Sequence, residues 1–100
     1  NMKTRLHWMA FYAPNAGNLY VDEGAAEALA VQAKSLLPKG IVAVEGDFKK
    51  GDVVSVFRRG SHEYLGKGIV NYDRPDLQKI MNESTSHTEA INRDNWIGAE

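Results

Sequence analysis

The sequence predicts one small domain of the α+β class, mainly β, in which a curled sheet is flanked by two helices. Three observations lead there. The chain has 100 residues, 43% of them hydrophobic and 25% charged, with no cysteine, which is enough for one core without disulfide staples and too little for two domains. Only two segments carry helical spacing, whereas the apolar runs between them are short, β-branched and bounded by turn residues. Glycine and proline fall between these runs, with no repeat or low-complexity tract. The composition also excludes function classes. Twelve Lys plus Arg against thirteen Asp plus Glu give a net charge of -1, so the strong global field of a dedicated nucleic-acid binder is absent and any such role rests on a local patch. No stretch approaches the roughly 20 apolar residues of a membrane helix, and the first residues lack a signal-peptide pattern. A soluble, cytoplasmic protein with no membrane partner is expected.

In order along the chain, residues 1–12 are expected to form a linker and a first strand or anchor, carried by the apolar run His7, Trp8, Met9, Ala10, Phe11 and Tyr12. The domain proper is expected over 13–97, with 98–100 a tail. Pro14 to Asn18 reads as a turn and Leu19-Tyr20-Val21 as a brief strand. Asp22 is placed to cap a helix over 23–37, and Glu23 suits its positive end. Ala25, Leu29, Ala33, Leu36 and Leu37 recur at three and four to form its buried face, while Glu27, Lys34 and Val31 face water. Pro38-Lys39-Gly40 stops it. Residues 41–44 are apolar on both sides of the pleat, which predicts a strand covered on both faces or closed into a barrel. After a connection with two Gly-Asp pairs, 53–58 is a strand, 59–62 a hairpin turn and 63–72 the returning strand, bent at Gly66 and Gly68. Asp73 is read as the cap of a short second helix with Pro75 in its first turn and Leu77, Ile80 and Met81 following. Residues 82–88 are polar and turn-like, and 90–97 supplies a last strand. The predicted order is strand, helix, three strands, short helix, strand.

Seven ordered landmarks carry a resemblance. Trp8, the string Leu19-Tyr20-Val21-Asp22-Glu23-Gly24-Ala25, Ser35-Leu36-Leu37-Pro38-Lys39-Gly40-Ile41, Val44-Glu45-Gly46-Asp47-Phe48, Gly51-Asp52-Val53-Val54, Gly68-Ile69-Val70-Asn71-Tyr72 and Asn92-Arg93-Asp94-Asn95 together resemble the C-terminal PUA domain of the bacterial glutamate 5-kinase (gamma-glutamyl kinase) family. That family usually has a longer stretch after the second helix than residues 82–89 provide. The resemblance implies a PUA-like pseudo-barrel of mixed strands with two flanking helices. It further implies that this stretch is a non-catalytic regulatory or interaction module, joined to an amino-acid kinase domain of the same chain. The parent would phosphorylate L-glutamate with ATP and Mg²⁺ to L-glutamyl 5-phosphate in proline biosynthesis, as a possible homo-oligomer. The alternative is an RNA-binding PUA module of an RNA-modifying protein.

The residues themselves offer no catalytic constellation, so no catalytic, cofactor-binding or metal residue is assigned and no cofactor is expected in this stretch. Gly66-Lys67-Gly68 lacks the strand-to-helix setting of a phosphate loop. His7, His62 and His87 have no metal-binding spacing, and the serines have no base-and-orienter partner. Asp22 and Glu23 are explained by capping. PUA domains of RNA-modifying proteins bind RNA beside the first helix and neighbouring strands. The cations in that region, Lys34, Lys39, Lys49, Lys50, Arg58, Arg59 and Lys67, are therefore the candidate nucleic-acid contacts, set against an ordinary solvated surface interspersed with acids. The aromatic residues are read as core rather than as a stacking platform. Val31 and residues 1–12 are candidate docking positions for the kinase domain.

Overall fold

The computed structural model describes residues 15–32, 34–81 and 88–98. The apolar segment 7–12, including Trp8, and most of the shortened polar stretch therefore lie outside the described residues. In chain order the elements are β1 (Gly17–Val21), α1 (Glu23–Ala30), a 3-10 turn at Pro38–Gly40, β2 (Ile41–Glu45), β3 (Val53–Arg58), β4 (Tyr64–Ile69), α2 (Arg74–Ile80), a second 3-10 turn at Arg93–Asn95, and β5 (Trp96–Gly98). This is the predicted order. The strands form one mixed sheet arranged β2-β1-β3-β4-β5. Only β1 and β3 run parallel, because α1 and β2 together make the long crossover that a parallel pair requires.

One face of the sheet makes the core. Leu19, Val21, Ile41, Val54, Val56 and Leu65 from the strands meet Ala26 and Leu29 of α1, Leu77 of α2, and Leu36, Phe48, Val70 and Ile91 from the connections. In β1 the alternation is strict, with Gly17, Leu19 and Val21 buried and Asn18 and Tyr20 turned to the other face. Each fully buried aliphatic side chain contributes roughly 1.5–3 kcal/mol of transfer free energy.

The helices start as the sequence dictates and end earlier. Asp22 accepts a hydrogen bond from the Ala25 N–H at 2.8 Å, which satisfies one of the orphan donors of the first turn. Yet α1 stops at Ala30 instead of continuing to 37. The Gln32 and Lys34 N–H groups reach back to the Glu27 and Ala28 carbonyls, so the chain unwinds, and Leu36 exchanges backbone hydrogen bonds with Ile91 and Ala90 in an isolated antiparallel bridge. That bridge requires extended backbone at Leu36, and Pro38 disfavours helix at Leu37. Tertiary pairing overrides the apolar periodicity here. At α2, Pro75 occupies the first turn as predicted, but Asp73 makes no cap bond to its own helix. Its carboxylate instead accepts the Lys50 N–H at 2.7 Å, tying the β2–β3 connection to the helix start.

Two further expectations are corrected. Among the described residues β2 is an edge strand in which only Ile41 is buried and Val42, Ala43 and Val44 are half-buried, so its apolar run is not fully enclosed. The predicted last strand 90–97 is split: Ile91 pairs with Leu36, Asn92 accepts the Asp94 N–H at 2.8 Å to start the 3-10 turn, and β5 follows through Gly98. The predicted bend near Gly66 is present as an irregular register, Val56 opposite Gly66 but Phe57 opposite Tyr64, leaving Leu65 as the extra residue. Among the described residues no helix is long and apolar enough to cross a membrane.

Candidate functional site

The outer face of the sheet carries an aligned row of rings. In the parallel register Tyr20 lies beside Phe57, and across the hairpin Phe57 lies beside Tyr64. Their ring centroids are 5.6 Å apart in both pairs, within the range of favourable aromatic contact. Tyr64 is 41% exposed. The expectation that the aromatic residues fill the core holds for Phe48 and fails for this row, because all three sit at positions facing away from α1 and α2.

The row stops at Ala43, the residue opposite Tyr20 on β2. Beyond it lies a cleft of about 430 Å³ lined by Tyr20, Val42, Ala43, Glu45, Arg59, Gly60 and His62. Two local irregularities frame this cleft. The β1–β2 register passes from Tyr20 opposite Ala43 to Val21 opposite Ile41, so Val42 is a bulged residue, and a bulge re-aims side chains. The hairpin between β3 and β4 brings His62 over the cleft with φ +59°, in the left-handed region, beside Gly60 at φ +88°. For a non-glycine residue that conformation costs about 1–2 kcal/mol. His62 meets the Tyr20 ring edge-on at 5.7 Å.

Glu45 closes one end. Its Oε1 accepts the Tyr20 hydroxyl at 2.5 Å and the Asn18 side-chain amide at 3.3 Å. Asn18 is in turn held by Asn15, and Asn15 by the Ser55 hydroxyl. The Tyr20 hydroxyl bond, then the Asn18 amide and the nearby His62, hold the Glu45 carboxyl below its ordinary range. The same bond, foremost, pushes the Tyr20 hydroxyl upward. Both shifts favour a phenol donating to a carboxylate at neutral pH. One carboxylate oxygen is thus held by the Tyr20 hydroxyl and the Asn18 amide, and the residue lines the cleft.

The seven candidate cations do not form one stripe. Lys49 and Lys50 follow β2 at the end of the sheet where β3 begins, whereas Arg58 and Arg59 sit where β3 ends. Six strand residues, roughly 20 Å, separate the groups. Arg58 is committed to Glu23 at 2.6 Å and Glu63 at 2.9 Å. Lys34 and Lys39 lie exposed along the exit of α1 and the 3-10 turn. Arg59 lines the cleft, and Lys67, opposite Ser55, shares the face of the rings. Tyr20, Ala43, Glu45 and His62 were not singled out as a site from sequence. The pairing of Phe57 with Tyr64 could have been found there, since both flank the turn 59–62, but the parallel alignment of Tyr20 has no local signal. Among the described residues no group of three or more His, Asp or Glu side chains could hold a metal ion.

The PUA-domain family model matches residues 17–91. The chain belongs to the PUA-domain family. It is also 45% identical over 96 residues to the glutamate 5-kinase of Streptococcus pneumoniae, a match covering 96% of this chain and 26% of that protein. The matched stretch is the C-terminal domain of that kinase, and the chain spans about a quarter of the length of the curated relatives it matches. Among solved structures, a PUA domain from Aeropyrum pernix in a tartrate complex is 32% identical, with a TM-score of 0.70 over 77% of this chain and 41% of that one. An H/ACA ribonucleoprotein bound to a substrate RNA is 18% identical, with a TM-score of 0.62 over 80% of this chain and 22% of the other. That likeness is one of fold.

Proposed function

We propose that this PUA domain is the non-catalytic accessory module of a glutamate 5-kinase. The supporting observation is the 45% identity running over nearly the whole chain, which far exceeds what fold likeness alone produces among PUA domains here. In this reading the rest of the chain holds glutamate, ATP and Mg²⁺ and performs phosphoryl transfer in the cytoplasm. This domain contributes docking to the kinase part or to a second subunit. Val31, 76% exposed just past α1, is the docking position on its surface. The test compares the full-length kinase, the kinase lacking these residues, and the isolated 100-residue chain for glutamate-dependent ADP formation and for oligomeric mass. Turnover is expected from the first, altered turnover or assembly from the second, and none from the third. Turnover by the isolated chain, or a deletion that changes neither quantity, refutes the proposal.

A second reading, contact with RNA, is supported by the row of rings, exposed at Tyr64 and half-buried at Phe57 and Tyr20, sharing a face with Arg59 and Lys67. Stacking on rings beside cations suits unpaired bases. With only a few phosphate contacts, binding would fall measurably but not steeply with salt.

A further inference from the structure

The ring row Tyr64, Phe57, Tyr20 advances one strand at a time across the sheet and then meets the methyl group of Ala43. The next place in the row is therefore a slot, walled on one side by the Tyr20 ring and floored by Ala43 and the bulged Val42. A flat ring seated there continues a row whose existing members already hold their centroids 5.6 Å apart. The slot has charged groups of opposite sign, Glu45 and Arg59, on its lining. Glu45 uses Oε1 for Tyr20 and Asn18, and its carboxylate accepts further N–H donors. The Arg59 guanidinium suits an anion, phosphate above all. Gly60 leaves the approach open, since a Cβ there would meet nothing within 4 Å.

We propose that this slot binds one nucleotide unit, its base stacked on Tyr20 with N–H donors toward Glu45 and its phosphate toward Arg59. Guanine fits best, because its N1–H and N2–H₂ lie side by side on one edge, whereas uracil offers a single N–H there. The inference deepens the RNA reading. The same chemistry is supplied by a free nucleotide, and the experiment separates the two sources. Two departures from regular structure, the bulge at Val42 and the left-handed His62, converge on the slot beside the hydrogen-bonded carboxylate of Glu45. Such local strain persists where surrounding structure holds it in place, and it clusters at ligand sites.

The test is amide chemical-shift mapping on the 100-residue chain, titrated with GMP, guanosine, UMP, a G-containing single-stranded RNA and an all-U RNA. GMP is expected to shift the amides of Val42, Ala43, Gly60 and His62, with guanosine and UMP at least several-fold weaker. Ala43→Phe fills the slot with a ring of the protein's own and is expected to abolish these shifts at unchanged melting temperature. Arg59→Ala is expected to remove the advantage of GMP over guanosine. If GMP shifts the slot and RNA does not, the site stands with free nucleotide as its source and the RNA reading falls. If RNA binds but leaves these amides unmoved, or binds Ala43→Phe equally well, the site is refuted and RNA contact survives. If neither binds at millimolar nucleotide and low salt, both are refuted.

Discussion

Gly66→Ala is expected to be among the most damaging single-methyl changes in this domain, and the structure separates its two causes. Gly66 has φ +151°, which an L-residue adopts at a cost of about 1–2 kcal/mol. In addition, a Cβ there would run into the Ile97 carbonyl oxygen and lie 2.8 Å from Trp96 Cζ2 and 2.9 Å from Gly98 Cα. Two of these three are backbone atoms of β5, which is held in register by Gly66–Gly98, Lys67–Ile97 and Gly68–Trp96. They cannot retreat without opening the ladder, and overpacking of this kind costs a further ~1–3 kcal/mol. The sum is about 2–5 kcal/mol. Gly51→Ala is the control. Gly51 also has positive φ, +96°, but a Cβ there would meet nothing within 4 Å, so only the conformational cost of about 1–2 kcal/mol remains. At about 4–8 °C per kcal/mol for a domain of this size, the control should melt about 4–16 °C below the parent and Gly66→Ala clearly lower still. Trp96 packs against the core, so a red shift of tryptophan emission before the main transition would report β5 lifting first. If the two variants melt within about 3 °C of each other, close approach of β5 is not what requires glycine at 66.

Three other expectations follow from the same structure. Asp22→Ala removes the side-chain cap on the Ala25 N–H in the first turn of α1 and should lower stability by about 1 kcal/mol, with Asp22→Asn retaining most of it, as read by urea denaturation. Leu77→Ala, at the fully buried contact between α2 and the core, should cost about 2–5 kcal/mol in the same measurement. The Tyr20–Glu45 pair should shape the pH dependence of melting at both limbs. Because the folded state holds the Glu45 carboxyl below its ordinary value of 4.5, its contribution is complete above that value and is lost as pH falls through the lowered one. Because the Tyr20 hydroxyl is pushed above its ordinary 10.0, its contribution is complete below 10 and is lost as pH rises through the raised value. Tyr20→Phe should therefore flatten both limbs; unchanged slopes in melts from pH 3 to 11 would show that the bond does not persist in solution.

Local rules reached the element order and the starts of both helices because those depend on neighbouring residues. Asp22 before an alanine-rich run, Pro75 after Asp73, and Gly60 within Arg59-Gly60-Ser61-His62 each act over a few positions. The errors fall where a partner distant in sequence decides. Leu36 leaves the helix for Ile91, 55 residues on, and takes α1's last turns with it. Asp73 turns from its own helix to Lys50. β2 looks enclosed because Ile41, Val42, Ala43 and Val44 are all apolar, but its place at the edge follows from β3 pairing parallel to β1, and no local pattern announces that pairing.

The same logic explains why the site is less legible than the fold. Phe57 and Tyr64 face one another through a hairpin turn of local origin, so half of the ring row was accessible to sequence reasoning. Tyr20 joins it only through the parallel register, and Ala43 acquires meaning only as the small residue at the end of that row. An alanine in a β-branched strand is unremarkable by propensity; opposite Tyr20 it lines an open cleft. The charge pattern is hard to read from sequence for a related reason. Cations adjacent in sequence part company where β3 ends: Arg58, its last residue, goes to Glu23 and Glu63, and Arg59, the first of the turn, lines the cleft. What a cation can bind is thus decided by where its strand ends and by which acids the fold brings to it, neither of which a count of lysines and arginines contains. Arg59→Ala and Arg58→Ala are expected to divide accordingly, the first altering ligand shifts at Gly60 and His62 without changing the melt, the second lowering the melt without altering those shifts. A reversal of that division would mean that the ion pairs of Arg58 are not maintained in solution and that the cation of the cleft has been assigned to the wrong residue.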